Sequence, residues 1–137
     1  MTRSIRIICG AASVLAALLV AACGGADSAL TEVHRVQSGD LDIVLLSEDG
    51  ALNQGKEAFV MEFRKGGSLV DAGTVTTSAN MSMPGMTMPA GIQVERTDVV
   101  GRYRATGNFG MAGAWQMKVD WNGPAGQGSA SFDGPVQ

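Results

Sequence analysis

Four of the eight methionines in this 137-residue chain fall within eight residues, Met81-Ser82-Met83-Pro84-Gly85-Met86-Thr87-Met88. Thioether sulfur is soft and polarizable. It binds most biological cations poorly and monovalent copper well, and it has no proton to lose on binding. Pro84 presets φ for the first central position of a turn and Gly85 accepts positive φ at the second, which predicts a type II turn. If the flanks pair as a two-residue hairpin, Met83 faces Met86 and Met81 faces Met88, with cross-strand Cβ atoms about 5 Å apart. Residues two apart on a strand share a face. The four sulfurs then emerge on one side and Ser82 and Thr87 on the other. Type II turns twist against tight hairpins, so an open loop is the alternative, and Pro89 disfavours a central strand. Three readings of the cluster stay open: a copper(I) site, an adaptable protein-contact surface, and packing.

Met111 lies in the glycine-rich run Asn108-Phe109-Gly110-Met111-Ala112-Gly113. It is a candidate fifth ligand or a packing residue. Met61 and Met117 alternate with large apolar neighbours and read as core. His34 is the single histidine. Imidazole often joins methionines at copper, yet His34 is distant from the cluster along the chain. No nucleophile, base and acid can be assembled around one histidine, so an enzyme is not expected. Gly107, Gly110 and Gly113 lack the strand-to-helix setting of a phosphate loop. Asp40 and Asp42 read as an ordinary solvated face.

The elements that must position these residues read as strands. Residues 40–46 place Leu41, Ile43 and Leu45 on one side. In residues 57–64, Phe59, Met61 and Phe63 share a face. Residues 74–80 are rich in Thr, Val and Ser, and residues 92–97 and 102–106 alternate. Residues 114–120 form the clearest strand, with Trp115, Met117, Val119 and then Trp121 on one face. Residues 129–133 add a short edge. These are period-2 patterns of half-buried antiparallel strands. Turn chemistry separates them at Glu48-Asp49-Gly50, Gly66-Gly67, Pro84-Gly85, Gly107-Asn108 and Asn122-Gly123-Pro124. No 3.6-residue period follows residue 23. The expected fold class is all-β, an immunoglobulin-like antiparallel β-sandwich of about seven strands.

Residues 1–22 read as a signal peptide: Arg3 and Arg6 precede an apolar run over residues 7–22, too short for a bilayer span. Val20-Ala21-Ala22-Cys23 resembles the bacterial lipobox, which implies a lipidated Cys23 as the new first residue. Gly24 at the next position favours the outer membrane, facing the periplasm. Residues 23–38 are expected to be the lipidated cysteine and a flexible tether, and residues 39–137 the domain. With Cys9 removed and Cys23 acylated, no thiol remains for disulfides, nucleophiles or thiolate sites. Without Arg3 and Arg6, eight basic residues stand against thirteen acidic ones, a net of −5. That balance gives no electrostatic case for nucleic acid.

Four short segments, in order, resemble the YtkA-like domain, a group related to FixH proteins. They are Asp71-Ala72-Gly73-Thr74-Val75, Met83-Pro84-Gly85-Met86, Gly101-Arg102-Tyr103-Arg104-Ala105 and Met111-Ala112-Gly113-Ala114-Trp115. The resemblance implies an immunoglobulin-like sandwich outside the cytoplasm, near metal homeostasis. The expectation is therefore a membrane-anchored lipoprotein of the cell envelope. It would bind copper(I) through Met81, Met83, Met86 and Met88, with Met111 as a further candidate. It would buffer the ion or deliver it to a copper-handling or efflux partner. The alternative is a non-metal interaction module whose methionine surface grips another envelope protein.

Overall fold

The computed structural model describes residues 29–137, so the signal peptide, Cys23 and the first part of the expected tether lie outside it. Ten strands follow one another: β1 (Thr31–Ser38), β2 (Leu41–Ser47), β3 (Gly55–Lys65), β4 (Ser68–Leu69), β5 (Thr74–Met83), β6 (Met86–Ala90), β7 (Ile92–Arg96), β8 (Arg102–Phe109), β9 (Gly113–Gly123) and β10 (Gly126–Val136). Among the described residues there is no helix. One sheet runs β1-β2-β3-β8-β7, with the short β4 also on β3. The other runs β10-β9-β5-β6. All pairings between these strands are antiparallel. The fold is the expected immunoglobulin-like sandwich, with more strands than the alternation revealed.

Period-2 patterning explains the core. Ile43 and Leu45 on β2, Phe59, Met61 and Phe63 on β3, and Tyr103, Ala105 and Phe109 on β8 meet Trp115, Met117, Val119 and Trp121 from β9. Met61 and Met117 are fully buried, as expected of core methionines. The aromatic rings pack edge to face. Phe63 lies 5.4 Å from Tyr103 and 5.9 Å from Trp121, and Phe109 lies 5.3 Å from Trp115. Each such pair contributes about 0.5–1.5 kcal/mol beyond its buried area.

Three expectations need correction. The tether does not extend to residue 38, because Thr31–Ser38 is β1, paired to β2. The register shifts between Glu32 and His34, and this bulge interrupts the alternation that would mark a strand. Gly39, with φ +64°, then turns β1 into β2. The Gly107-Asn108 turn does not form; both residues pair within β8. The Phe109 ring lies over Gly107, where a Cβ would sit 3.1 Å from it. The chain reverses after Phe109 instead. The turn after β9 falls one residue later than expected, at Pro124-Ala125, closed by the pairing of Gly123 with Gly126.

A polar clamp joins the two sheets at the start of β5. The Tyr103 hydroxyl donates to the Gly73 carbonyl at 2.9 Å, and Arg96 Nη2 donates to Asp71 Oδ1 at 2.7 Å. Asp71 Oδ1 also accepts the Gly73 N–H at 2.8 Å. Gly73 has φ +74°, and a Cβ there would collide with the Asn122 carbonyl, so no other residue fits. Burial pushes the Tyr103 hydroxyl above its ordinary value of 10.0. A raised folded value means this contribution is complete below about pH 10 and is lost as pH rises through the folded value. Tyr103→Phe should therefore cost about 1 kcal/mol at neutral pH. It should also remove part of the alkaline loss of stability expected of the parent. Urea midpoints of both proteins between neutral and strongly alkaline pH check this.

Candidate metal centre

β5 runs beyond the pairing it makes with β9 and carries the methionines out at one end of the sandwich. Its inward face reads Val75, Thr77, Ala79 and Met81, all buried, and Met83 continues that face. β6 returns with Met86, Met88 and the buried Ala90. Met83 pairs with Met86, Ser82 with Thr87, and Met81 with Met88. The tight hairpin forms despite its type II turn, and φ of Gly85 is +83°, the value such a turn needs at its second central position. Ser82 and Thr87 point to the opposite, solvated face.

Burial grades the four sulfur-bearing side chains. Met81 is 6% exposed and belongs to the core cluster. Met83 and Met88 are partly buried and pack against that cluster. Met86 is 58% exposed. The face thus runs from the floor of the sandwich out into water.

The loop between β8 and β9 carries Met111, 37% exposed, and lies against the same face. A Cβ on Gly110 would sit 3.1 Å from Met88 Sδ. One on Gly113 would sit 2.7 Å from Met81 Cε and 3.8 Å from Met81 Sδ. The sulfurs of Met81 and Met88 are therefore next to the backbone that presents Met111. Two side chains hold this loop. Trp115 Nε1 donates to the Met111 carbonyl at 3.0 Å, and Gln54 Nε2 donates to the Gly110 carbonyl at 3.1 Å. The spacing Met111-x-Gly113-x-Trp115 acquires a physical meaning. Trp115 fixes the backbone of Met111, and Gly113 leaves room for the methyl of Met81.

The structure thus brings Met81, Met83, Met86 and Met88 to one face of one hairpin and sets the Met111 loop beside them. His34 is elsewhere. Its ring stacks on Phe132 of β10, centroids 4.7 Å apart and 16° from parallel. β10 and β6 are the opposite edges of their sheet, three strand spacings or about 14 Å apart. Among the described residues no group of three or more His, Cys, Asp or Glu converges as a metal site. The donors gathered at the hairpin are all neutral thioethers, a set that fits a soft monovalent ion and not a hard divalent one. The sequence pattern alone does not assign Trp115, Gly113 and Gln54 to the site. The i,i+4 spacing of Met111 and Trp115 was the available signal for the first; Gln54 had none.

An all-β two-sheet domain with a thioether-lined end is the class that fold and site define. The chain belongs to the YtkA-like family, whose model matches residues 35–120. That span includes all five candidate methionines and Trp115, and stops before β10, which completes the second sheet. No curated protein and no solved structure matches the chain.

Gly113 has φ +140°. Gly113→Ala should destabilise the domain by about 1–3 kcal/mol through backbone strain and displace Met81. Gly91→Ala, where a Cβ would meet open space and φ is not positive, serves as the control. Thermal unfolding of both variants checks the difference.

Proposed function

We propose that this domain binds monovalent copper as cargo through Met81, Met83, Met86 and Met88, with Met111 closing the set from the β8–β9 loop. The observation that carries the reading is the pairing of Met83 with Met86 and of Met81 with Met88 on one face. Flexible unbranched side chains at cross-strand spacing can converge on one ion without moving the backbone. Met81 gives the ion an inner, dry contact, and Met86 gives it a wet one through which to enter and leave. In this reading the protein is a binding domain and not an enzyme, since its only imidazole stacks on Phe132. Lipidation at Cys23 would hold it on the periplasmic side of the outer membrane. There it would buffer copper or pass it to a copper-handling or efflux protein of the envelope.

A second reading draws on the exposure of Met86 and Met111, which present apolar thioethers to water. Such a surface suits a protein partner in the envelope as well as an ion. The two readings separate cleanly, because leucine keeps an apolar contact and removes a ligand.

Titration of the soluble domain with copper(I) under reducing conditions, against a competing chelator, tests the proposal. Replacing Met81, Met83, Met86 and Met88 together by leucine should weaken binding by more than about 100-fold, beyond the cost of disturbing a ligand's outer partner. Met117→Leu, in the core, should leave affinity unchanged. Equal affinity in the fourfold variant would overturn the site, and retained partner capture by that variant would favour the second reading.

A further inference from the structure

The same thioethers have a second chemistry. A methionine sulfur is oxidised by two-electron oxidants to the sulfoxide, which is polar, chiral and reducible again. The reaction spends the lone-pair density that a soft metal uses. Which sulfur reacts follows from access, and access here is steeply graded. Met86 is 58% exposed and Met111 37%, whereas Met81 is 6% exposed and Met61 and Met117 are sealed in the core. Met83 and Met88 lie between these limits.

Position decides what the fold would suffer. Met86 opens β6 directly after the Pro84-Gly85 turn, and its strand partner is Met83 at the hairpin's tip. A sulfoxide there projects into water, and the backbone pairing that holds the hairpin does not involve the side chain. At Met81 a sulfoxide oxygen would sit in the core cluster beside the Gly113 backbone. It would need a donor in a region where Trp115 Nε1 already serves the Met111 carbonyl. The outermost donor can therefore be modified with the sandwich intact, and the innermost cannot.

We propose that Met86 is a modification site for hydrogen peroxide or an organic hydroperoxide, with Met111 reacting second, and that its conversion to the sulfoxide switches the methionine face from metal-holding to metal-releasing. The switching consequence rests on the copper reading; the order of modification does not. In the step, a sulfur lone pair attacks one peroxide oxygen, the S–O bond forms and the O–O bond breaks. The leaving oxygen takes the proton and departs as water or as an alcohol. Sulfur loses two electrons and the peroxide gains them, so no further co-reactant is needed. An ion held by Met86 occupies the lone pair and shields it.

The test uses the metal-free domain treated with graded hydrogen peroxide, quenched with catalase and mapped by peptide mass spectrometry. Met86 should oxidise first, then Met111, then Met83 and Met88, with Met81, Met61 and Met117 last. Silver(I), a monovalent ion that does not itself cycle with peroxide, then reports on the site. Protein oxidised only at Met86 should bind silver about tenfold or more weakly, the low end of what disturbing a metal ligand's partners costs. Silver added before peroxide should protect Met86. Met86→Leu should make the remaining silver affinity insensitive to low peroxide. Oxidation of Met81 in step with Met86, or unchanged silver affinity after oxidation at Met86, would overturn the proposal. If the unmodified domain holds no monovalent metal, the copper reading fails and the switch with it, while the order of oxidation still decides the modification site.

Discussion

A slip of one residue between β5 and β9 would turn Met81 and Met83 to the solvated face and bring Ser82 inward, since strand side chains alternate with a period of two. The site therefore depends on register before it depends on any ligand. Register here is held by what β5 buries. Val75 pairs with Trp121, Thr77 with Val119, and Ala79 with Met117, so every second residue of β5 meets the densest part of the core. The hairpin beyond inherits this parity at no further cost, and the Pro84-Gly85 turn hands it to β6. The position of four sulfurs is thus fixed by apolar packing some residues away.

The polar clamp and the Met111 loop are two further ties on the same frame. Asp71, Gly73, Arg96 and Tyr103 fasten the start of β5 to the neighbouring sheet. Trp115 and Gln54 fasten the loop at the other end through backbone carbonyls. Both ties rest on glycines whose backbone geometry or surroundings exclude larger residues, Gly73 at one end and Gly113 at the other. The four short segments that resemble the YtkA-like domain map onto these two ties and the hairpin between them. Their glycines, tyrosine and tryptophan serve geometry, and their methionines lie on or beside the face to which we assign ion binding.

Strand parity was legible because half-buried strands write their faces into the sequence. Phe59, Met61 and Phe63, or Trp115, Met117 and Val119, needed no structure to be placed inward. The methionine hairpin was legible for the same reason, aided by a turn dipeptide with strong φ preferences. β1 was hidden by a bulge that breaks its alternation, and β4 by having two residues. Gly107-Asn108 misled because a glycine that accommodates the Phe109 ring looks the same in sequence as one that turns the chain. The role of Gln54 at the loop arises from a contact 56 residues along the chain, which no local pattern records, whereas Trp115 reaches back only four residues to Met111. Burial within the methionine set, from Met81 inward to Met86 outward, was likewise invisible, because all four share one parity.

The central claim is that one monovalent ion is held by thioether sulfur alone on this face. X-ray absorption at the copper edge of the domain loaded with copper(I) tests it most directly. The account predicts a first shell of sulfur only, lost when Met81, Met83, Met86 and Met88 are replaced by leucine. A shell containing nitrogen or oxygen, or a sulfur shell that survives in the leucine variant, would contradict it.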